Sequence, residues 1–330
     1  MDVFTRAQWR AAGRSPRSLD RALAGGAIRR VIRGAYAWTD VPDEPRIRAR
    51  AVSLVRPRDT VVARETAAWL SEIDVLPPGR TIADAPIRLM VQPDVTPPRV
   101  QGCTATQADL PEPDLIEEHG VVRTNDLRTA LDLGRFAPRE QAVASIDAFL
   151  NRKRIPLSDL WARAHLLNNV RNCRLLRANL SAADAGAQSY AESAERVLFV
   201  DAGLPHPSTQ IPVYSPTGAL LGYLDMGWKR FFLASEYDGE EDHDSDEDRQ
   251  NDERRRGRIS KQTPWTIDVV RKGELWGRPG GLVAHTAEML MERGWSPAPP
   301  ILEQIARAAR YERETGQRWK WMPLERLLAA

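Results

Sequence analysis

The sequence predicts a multidomain α+β protein, and three observations lead there. At 330 residues the chain is long for a single compact core. Its first forty residues follow a helix, helix, hairpin order, whereas from Ser189 onward the order is helix, strand, strand, helix, strand. Between the two lies a mixed stretch whose part from Ile87 to Val122 is rich in proline. Four segments are expected: a head over residues 1–58, a middle scaffold over 59–185, an α/β core over 186–298, and a helical tail over 299–330.

The head begins with Thr5, which can cap a short helix from Arg6 to Ala12 that stops at Gly13. Ser15 followed by Pro16 is a cap with proline at the first helical position. The helix it opens buries Leu19, Ala22 and Leu23 and ends at Gly25-Gly26. Ile28 to Trp38 then carries strand-forming residues around a glycine turn. Two helices at a tight turn followed by a basic hairpin have the outline of a winged helix-turn-helix. Arg17 and Arg21 are expected on the solvent face of the second helix, and Arg29, Arg30 and Arg33 on the wing. A helix fits the major groove and a ribbon can follow the backbone, so these five arginines are the DNA-binding candidates.

Charge is unevenly distributed. Net charge is only +2, but residues 1–58 hold thirteen Arg against five acids, whereas residues 236–258 hold eleven acids against five Arg. A basic head attracts phosphates, and an acidic centre repels them or holds cations. The two cysteines, Cys103 and Cys173, have no Cys or His at metal spacing and point to a reducing compartment. The first residues lack a signal peptide's apolar core, and no stretch approaches eighteen apolar residues. A cytoplasmic location with no membrane partner is therefore expected.

The stretch from Phe4 through Tyr36, with Thr-Arg-Ala-Gln, Ala-Ala-Gly, Leu-Asp-Arg-Ala-Leu and Arg-Arg-Val-Ile-Arg-Gly-Ala-Tyr, resembles the N-terminal winged helix of type IV (abortive-infection) antitoxins. The resemblance implies promoter DNA as a partner and a cognate toxin or other defence partner.

The middle shows no chemistry. Arg46 to Val55, Ala63 to Leu70, Asp126 to Phe136, Arg139 to Leu150 and a segment capped by Ser158 read as helices. Ile87 to Val91 and Gly120 to Val122 read as strands.

The C-terminal half carries the chemistry. Ser189 and Glu192 form a capping box that opens a helix ended by Gly203-Leu204-Pro205. Ile211 to Tyr214 and Leu220 to Trp228 read as strands, and a third runs from Phe231 to Asp238. Glu236 and Asp238, two apart on a strand, point to one face, and a hairpin pairing would bring Asp225 beside Glu236. Like charges gathered at the end of an apolar strand are costly unless a cation neutralises them. Oxygen-only donors favour Mg²⁺ or Mn²⁺ over zinc. Glu195 reads as the weaker candidate, on another helical face from Glu192 and able to pair with arginines. The run Arg254 to Arg258 reads either as a phosphate contact or as a solvated face that neutralises the acids before it. The tail's Arg318-Trp319-Lys320-Trp321 reads as folding back on the core.

Leu224-Asp225-Met226-Gly227-Trp228 followed by Ala234-Ser235-Glu236-Tyr237-Asp238-Gly239 resembles the PD-(D/E)XK restriction-endonuclease superfamily, closest to its very-short-patch-repair-like branch. The resemblance spans about residues 186–295 and implies a metal-dependent deoxyribonuclease. By it, Asp225 and Glu236 are metal ligands, and Glu192 holds a metal or its water. His243 is a general base or phosphate contact, and Asp252 with Arg255 opens the next helix. One departure stands out: Asp238 occupies the place of the usual lysine, so the catalytic set would be Glu192, Asp225, Glu236, Asp238 and His243, with the positive charge supplied from elsewhere. The expected function is a DNA-binding protein with a metal-dependent endonuclease domain, in phage defence or a toxin–antitoxin context. The alternatives are an antitoxin-like transcriptional regulator whose nuclease fold is inactive, and an adaptor that docks protein through the winged helix.

Overall fold

The computed structural model describes residues 2–239 and 246–322, which form a mixed α/β chain with three sheets among them. They divide into two compact units, Met1–Ala183 and Asp184–Ala330.

The first unit opens with β1 (Val3–Thr5), α1 (Arg6–Ala11), α2 (Pro16–Ala24), β2 (Ile28–Ile32) and β3 (Ala35–Trp38). Thr5 forms a full capping box with Gln8, and Ser15 accepts from Ser18 N, so both helix starts follow from short polar side chains at the cap. β1 was not expected from the sequence; its three residues pair antiparallel with β3, which makes a sheet of order β1-β3-β2. Phe4, Trp9, Leu19, Ile28 and Tyr36 close a small aromatic-rich core beneath it.

The unit continues with α3 (Pro45–Val55), β4 (Val61–Val62), α4 (Arg64–Leu70), β5 (Ile87–Val91), β6 (Cys103–Gln107), β7 (Leu115–Glu118) and β8 (Val121–Thr124). Four helices complete it: α5 (Asp126–Phe136), α6 (Arg139–Asn151), α7 (Leu157–Leu166) and α8 (Cys173–Ala182). Ser158 does not cap α7, because Pro156 precedes the first turn and the Ser158 hydroxyl turns to Asp159 instead. The second sheet has the order β6-β5-β4-β8-β7. Val3, Val31 and Ile32 share one buried cluster with Ile47, Val52, Val62, Ile87, Leu89 and Val121, so the head and the second sheet pack as one body. Each such side chain contributes roughly 1.5–3 kcal/mol on burial.

Charge inside this unit is fully paired at two places. Asp114 accepts from Arg128 at 2.8 Å and from Arg163 at 2.7 Å. Asp126 accepts from Ser71 at 2.7 Å, Arg123 at 3.0 Å and Arg154 at 2.7 Å. Burial alone would raise the Asp126 carboxyl, but these bonds outweigh it and hold its pKa below the usual carboxylate range.

The second unit comprises α9 (Tyr190–Asp201), β9 (Ser208–Tyr214), β10 (Leu220–Trp228), β11 (Leu233–Asp238), α10 (Asp246–Gln262), β12 (Thr266–Arg271), α11 (Pro279–Glu292) and α12 (Pro299–Thr315). The sheet order is β12-β11-β10-β9, antiparallel except for the parallel β11–β12 pair. β11 starts at Leu233, two residues later than the sequence suggests. Lys229–Phe231 forms a 3-10 turn, and Phe232 takes a left-handed φ of 48°. Leu198, Phe199, Met226, Trp228, Leu233, Val283 and Leu290 build the main core. α12 belongs to it through Ile301 and Ile305. Glu312 of α12 accepts from Gly280 N at 2.7 Å, and a Cβ on Gly280 would stand 2.9 Å from that carboxylate and 3.0 Å from Ala308 backbone. Trp321 packs against the core, so the described part of the tail does fold back. No helix among the described residues is long and apolar enough to cross a membrane.

Candidate functional site

In the head, Arg17 and Arg21 are exposed, one helical turn apart on α2, and neither forms an ion pair among the described residues. Arg30 is exposed but pairs with Asp84 at 2.8 Å. Arg29 is half-buried and turned towards the loop after β3, donating to Val41 O at 3.2 Å and lying 3.8 Å from Asp43. Arg33, on the β2–β3 turn, is exposed, and its aliphatic part lies against Gly102. Arg14, not singled out from the sequence, stacks over Trp9 at 4.4 Å and Trp38 at 5.4 Å. Arg17 and Arg21 on α2, with Arg33 on the turn, are thus exposed cations of the head without an ion pair among the described residues.

In the second unit the β10–β11 ladder pairs Trp228 with Leu233, Gly227 with Ala234 and Met226 with Ser235, and it ends there. Asp225 and Glu236 are the first residues beyond the last rung. The Asp225 carboxyl is pushed up to about 7, by burial first and then by repulsion from Glu192 and Glu236, against the pull of Arg255 and Arg256. Glu236 is 1% exposed, and both its oxygens are held: Arg255 grips it with two bonds of 2.9 and 3.0 Å, and Arg256 Nε donates at 2.9 Å. Asp238 lies 3.5 Å from the same Arg256 guanidinium, as expected for residues two apart on one strand face. Asp252 pairs with Arg255 at 3.2 Å. Arg255 and Arg256 therefore neutralise the strand carboxylates, and Arg255 pairs with Asp252 on its own helix as well.

Glu192 sits in the first turn of α9 behind the cap Ser189, and its carboxylate accepts from Gln188 N at 3.0 Å. Burial raises its pKa. Glu195 is not on a separate face: three residues on, it is Glu192's neighbour across one turn. It is fully buried, accepts from the Ser235 hydroxyl, and leaves Oε2 without a hydrogen bond. Its pKa is pushed up to about 8, chiefly by burial, with repulsion from Asp225, Asp268 and Glu192. Asp268 stands beside Ser235 in the β11–β12 register, also has an orphaned buried oxygen, and is 3.6 Å from His285. Sequence reading missed Asp268 altogether; its place inside the short β12 pattern was the only signal. His243 lies outside the described residues.

The donors suit a hard cation. Among the described residues no three His, Cys, Asp or Glu side chains are spaced to enclose a metal by themselves. Mg²⁺ commonly takes only one or two protein carboxylates and fills its remaining positions with water and phosphate. Asp225, destabilised as an anion by burial and then by two neighbouring carboxylates, is an oxygen donor of that kind, and Glu236 is one only in exchange for part of its arginine grip.

Residues 1–39 match the family model described as a transcriptional regulator, AbiEi antitoxin, which bears out the N-terminal resemblance over that segment. An uncharacterized protein of Mycobacterium tuberculosis, Rv2248 in strain H37Rv and MT2308 in strain CDC 1551, is 29% identical over 171 residues. That comparison covers 52% of this chain and 62% of the relative. The crystal structure of the RV2827C protein from the same species aligns at 16% identity with a TM-score of 0.28, over 56% of this chain and 77% of that one. The AbiEi-antitoxin likeness is accordingly a property of the head.

Proposed function

We propose that this chain acts on DNA, with an AbiEi-antitoxin-like winged helix engaging the duplex and a PD-(D/E)XK-like C-terminal unit hydrolysing a phosphodiester with Mg²⁺ or Mn²⁺. The observation that carries this reading is the Asp225 carboxyl, raised to about 7 beyond the last rung of the β10–β11 ladder, with Glu192 and Glu236 as its neighbours. A carboxyl raised by burial and then by two like charges is stabilised as an anion when an external cation joins it.

Asp225 and Glu236 would hold the metal, which when bound supplies a charge that activates water and steadies the phosphate. Glu192, fixed by Gln188 N at the start of α9, orients the water or the coordination shell from the helix side. Asp238 cannot provide the positive charge of the missing lysine. Arg256, in contact with both Glu236 and Asp238, provides it. His243 remains the proposed base or phosphate contact. On α2, Arg17 and Arg21 contact the DNA backbone, with Arg30 and Arg33 on the wing. A cognate toxin or other defence partner is part of this proposal, as is a cytoplasmic location.

A second reading, an antitoxin-like regulator that binds DNA without cutting it, is favoured by one observation: Arg255 and Arg256 already occupy both oxygens of Glu236. Purified full-length chain incubated with plasmid and linear DNA in Mg²⁺, Mn²⁺ or EDTA separates the two. Metal-dependent cutting that disappears in Asp225→Asn and Glu236→Gln supports the nuclease. Intact DNA throughout, with a salt-sensitive gel shift lost in Arg17→Ala plus Arg21→Ala, overturns it in favour of the regulator.

A further inference from the structure

The turn between α1 and α2 carries an arginine to which the reading above gives no role. α1 stops at Gly13, whose φ of +77° is left-handed. Gly13 N donates to Arg10 O at 2.9 Å and Arg14 N to Trp9 O at 3.3 Å, the two bonds of a Schellman stop. The residue after the glycine in such a stop often lays an apolar side chain on the last turn of the helix. Arg14 does so with its guanidinium, 4.4 Å over the Trp9 ring and 5.4 Å over that of Trp38.

Both indoles are themselves fixed. Trp9 is buried, and its Nε1 donates to Ser15 O at 3.2 Å and to Ser18 Oγ at 3.1 Å, which ties the ring to the start of α2. Trp38, opposite Ile28 in the β2–β3 ladder, packs on Trp9 and Phe4 with ring centres 6.0 and 5.8 Å apart. The plane of Arg14 is therefore set against α2 and the wing strands before any partner arrives. Arg14 is nevertheless exposed and forms no ion pair among the described residues. Arg17 and Arg21, further along α2, are also exposed but have no ring stacked against them, so their charges are left to turn.

We infer that Arg14 reads a guanine in the major groove and sets the sequence preference of the head, while Arg17 and Arg21 hold phosphates. Phosphate contacts carry no sequence information and can be made by side chains that swing freely. A guanine edge is met by two N–H bonds in one plane, to O6 and N7, and that demand rewards a fork whose plane is already fixed. Stacking covers a face of the guanidinium and leaves its in-plane N–H groups for such a contact. In a helix-turn-helix the residues at the start of the second helix meet base edges, and Arg14 immediately precedes the cap Ser15. The inference rests on the reading of the head as engaging the duplex, and it names the side chain that distinguishes one duplex from another.

The test is selection by the full chain, in EDTA, from a pool of random-sequence duplexes, with thermal melting of every variant alongside. The unaltered chain is expected to enrich a site with one guanine position preferred at least about fivefold over the other bases. Arg14→Lys keeps the charge but loses the fork, and it is expected to erase the preference at that position while leaving the other positions of the site as they were. Arg14→Met keeps the packing on the rings without the charge and is expected to erase the same preference. Melting close to that of the unaltered chain in either variant excludes a disturbed fold as the cause. A uniform loss of binding with the guanine preference intact, the mark of a phosphate contact, overturns the inference, and so does a preference unchanged in both variants. Neither of those results touches the DNA reading of the head. That reading fails, and the inference with it, if the unaltered chain enriches no duplex and shows no gel shift that depends on Arg17 and Arg21.

Discussion

Two groups of buried carboxylates, one in each unit, have opposite surroundings. In the first unit Asp126 is enclosed by Ser71, Arg123 and Arg154, and its pKa falls below the usual range. In the second, Asp225 and Glu195 are raised to about 7 and about 8, and Glu195 keeps an oxygen with no hydrogen bond at all. Burial raises the pKa of all three, most completely at Glu195, and the groups differ in whether partners outweigh it: they do at Asp126, and at Asp225 Arg255 and Arg256 do not. A carboxylate that its own protein neutralises holds the fold together, and one left short of positive charge weakens the fold and is open to a partner.

The largest effect that would break this contrast is at Asp126. Asp126→Asn withdraws a counter-charge from Arg123, which is 1% exposed, and should cost the first unit about 3 kcal/mol in urea unfolding. Asp225→Asn should do the reverse, stabilising the second unit by about 1–2 kcal/mol at pH 8 while abolishing metal-dependent cutting. If both substitutions destabilise, the contrast fails.

The next effect sharpens it through pH. Glu195 titrates at about 8 in the folded unit against 4.5 when exposed. Between those values the folded state binds the extra proton, so its stability is greatest below pH 4.5 on this account and declines as pH rises to 8. Asp225, at about 7 against 3.8, works in the same direction. Thermal melting of the second unit should therefore fall by several degrees from about pH 5 to pH 8, and Glu195→Gln should flatten part of that slope. The smallest effect belongs to the surface. Arg30→Ala breaks an exposed pair with Asp84 and should shift stability by less than about 0.5 kcal/mol.

Local chemistry was readable from the sequence. Thr5, Ser15 and Ser189 cap their helices because a short polar side chain satisfies free amides wherever it stands. The strand pair that brings Asp225 to Glu236 was readable as well, since a hairpin is a short-range event. What stayed hidden depends on long-range pairing. β6 adds to β5 in parallel, and β4 joins β8 across some sixty residues, neither of which any periodicity announces. Ser158 stands where a cap would, yet Pro156 starts the helix first. Arg255 and Arg256 look like surface charges in the sequence, and only the return of α10 onto the sheet turns them to Glu236. Glu195 was misjudged for a simpler reason: a spacing of three keeps two helical residues together, and the Ser235 that receives it comes forty residues later.

The parallel β11–β12 pair has a consequence for how the second unit assembles. Strands in that relation cannot be joined by a tight turn, so the chain leaves the sheet and returns along α10. The guanidiniums that neutralise Glu236 travel on that return. Strands β9 to β11 can therefore meet on the ribosome while Asp225 and Glu236 still face each other without counter-charge. Docking of α10 then joins the last strand to the sheet and quenches the repulsion in one step. Refolding of this unit should accelerate with added salt, and Arg255→Met should slow folding more than it speeds unfolding.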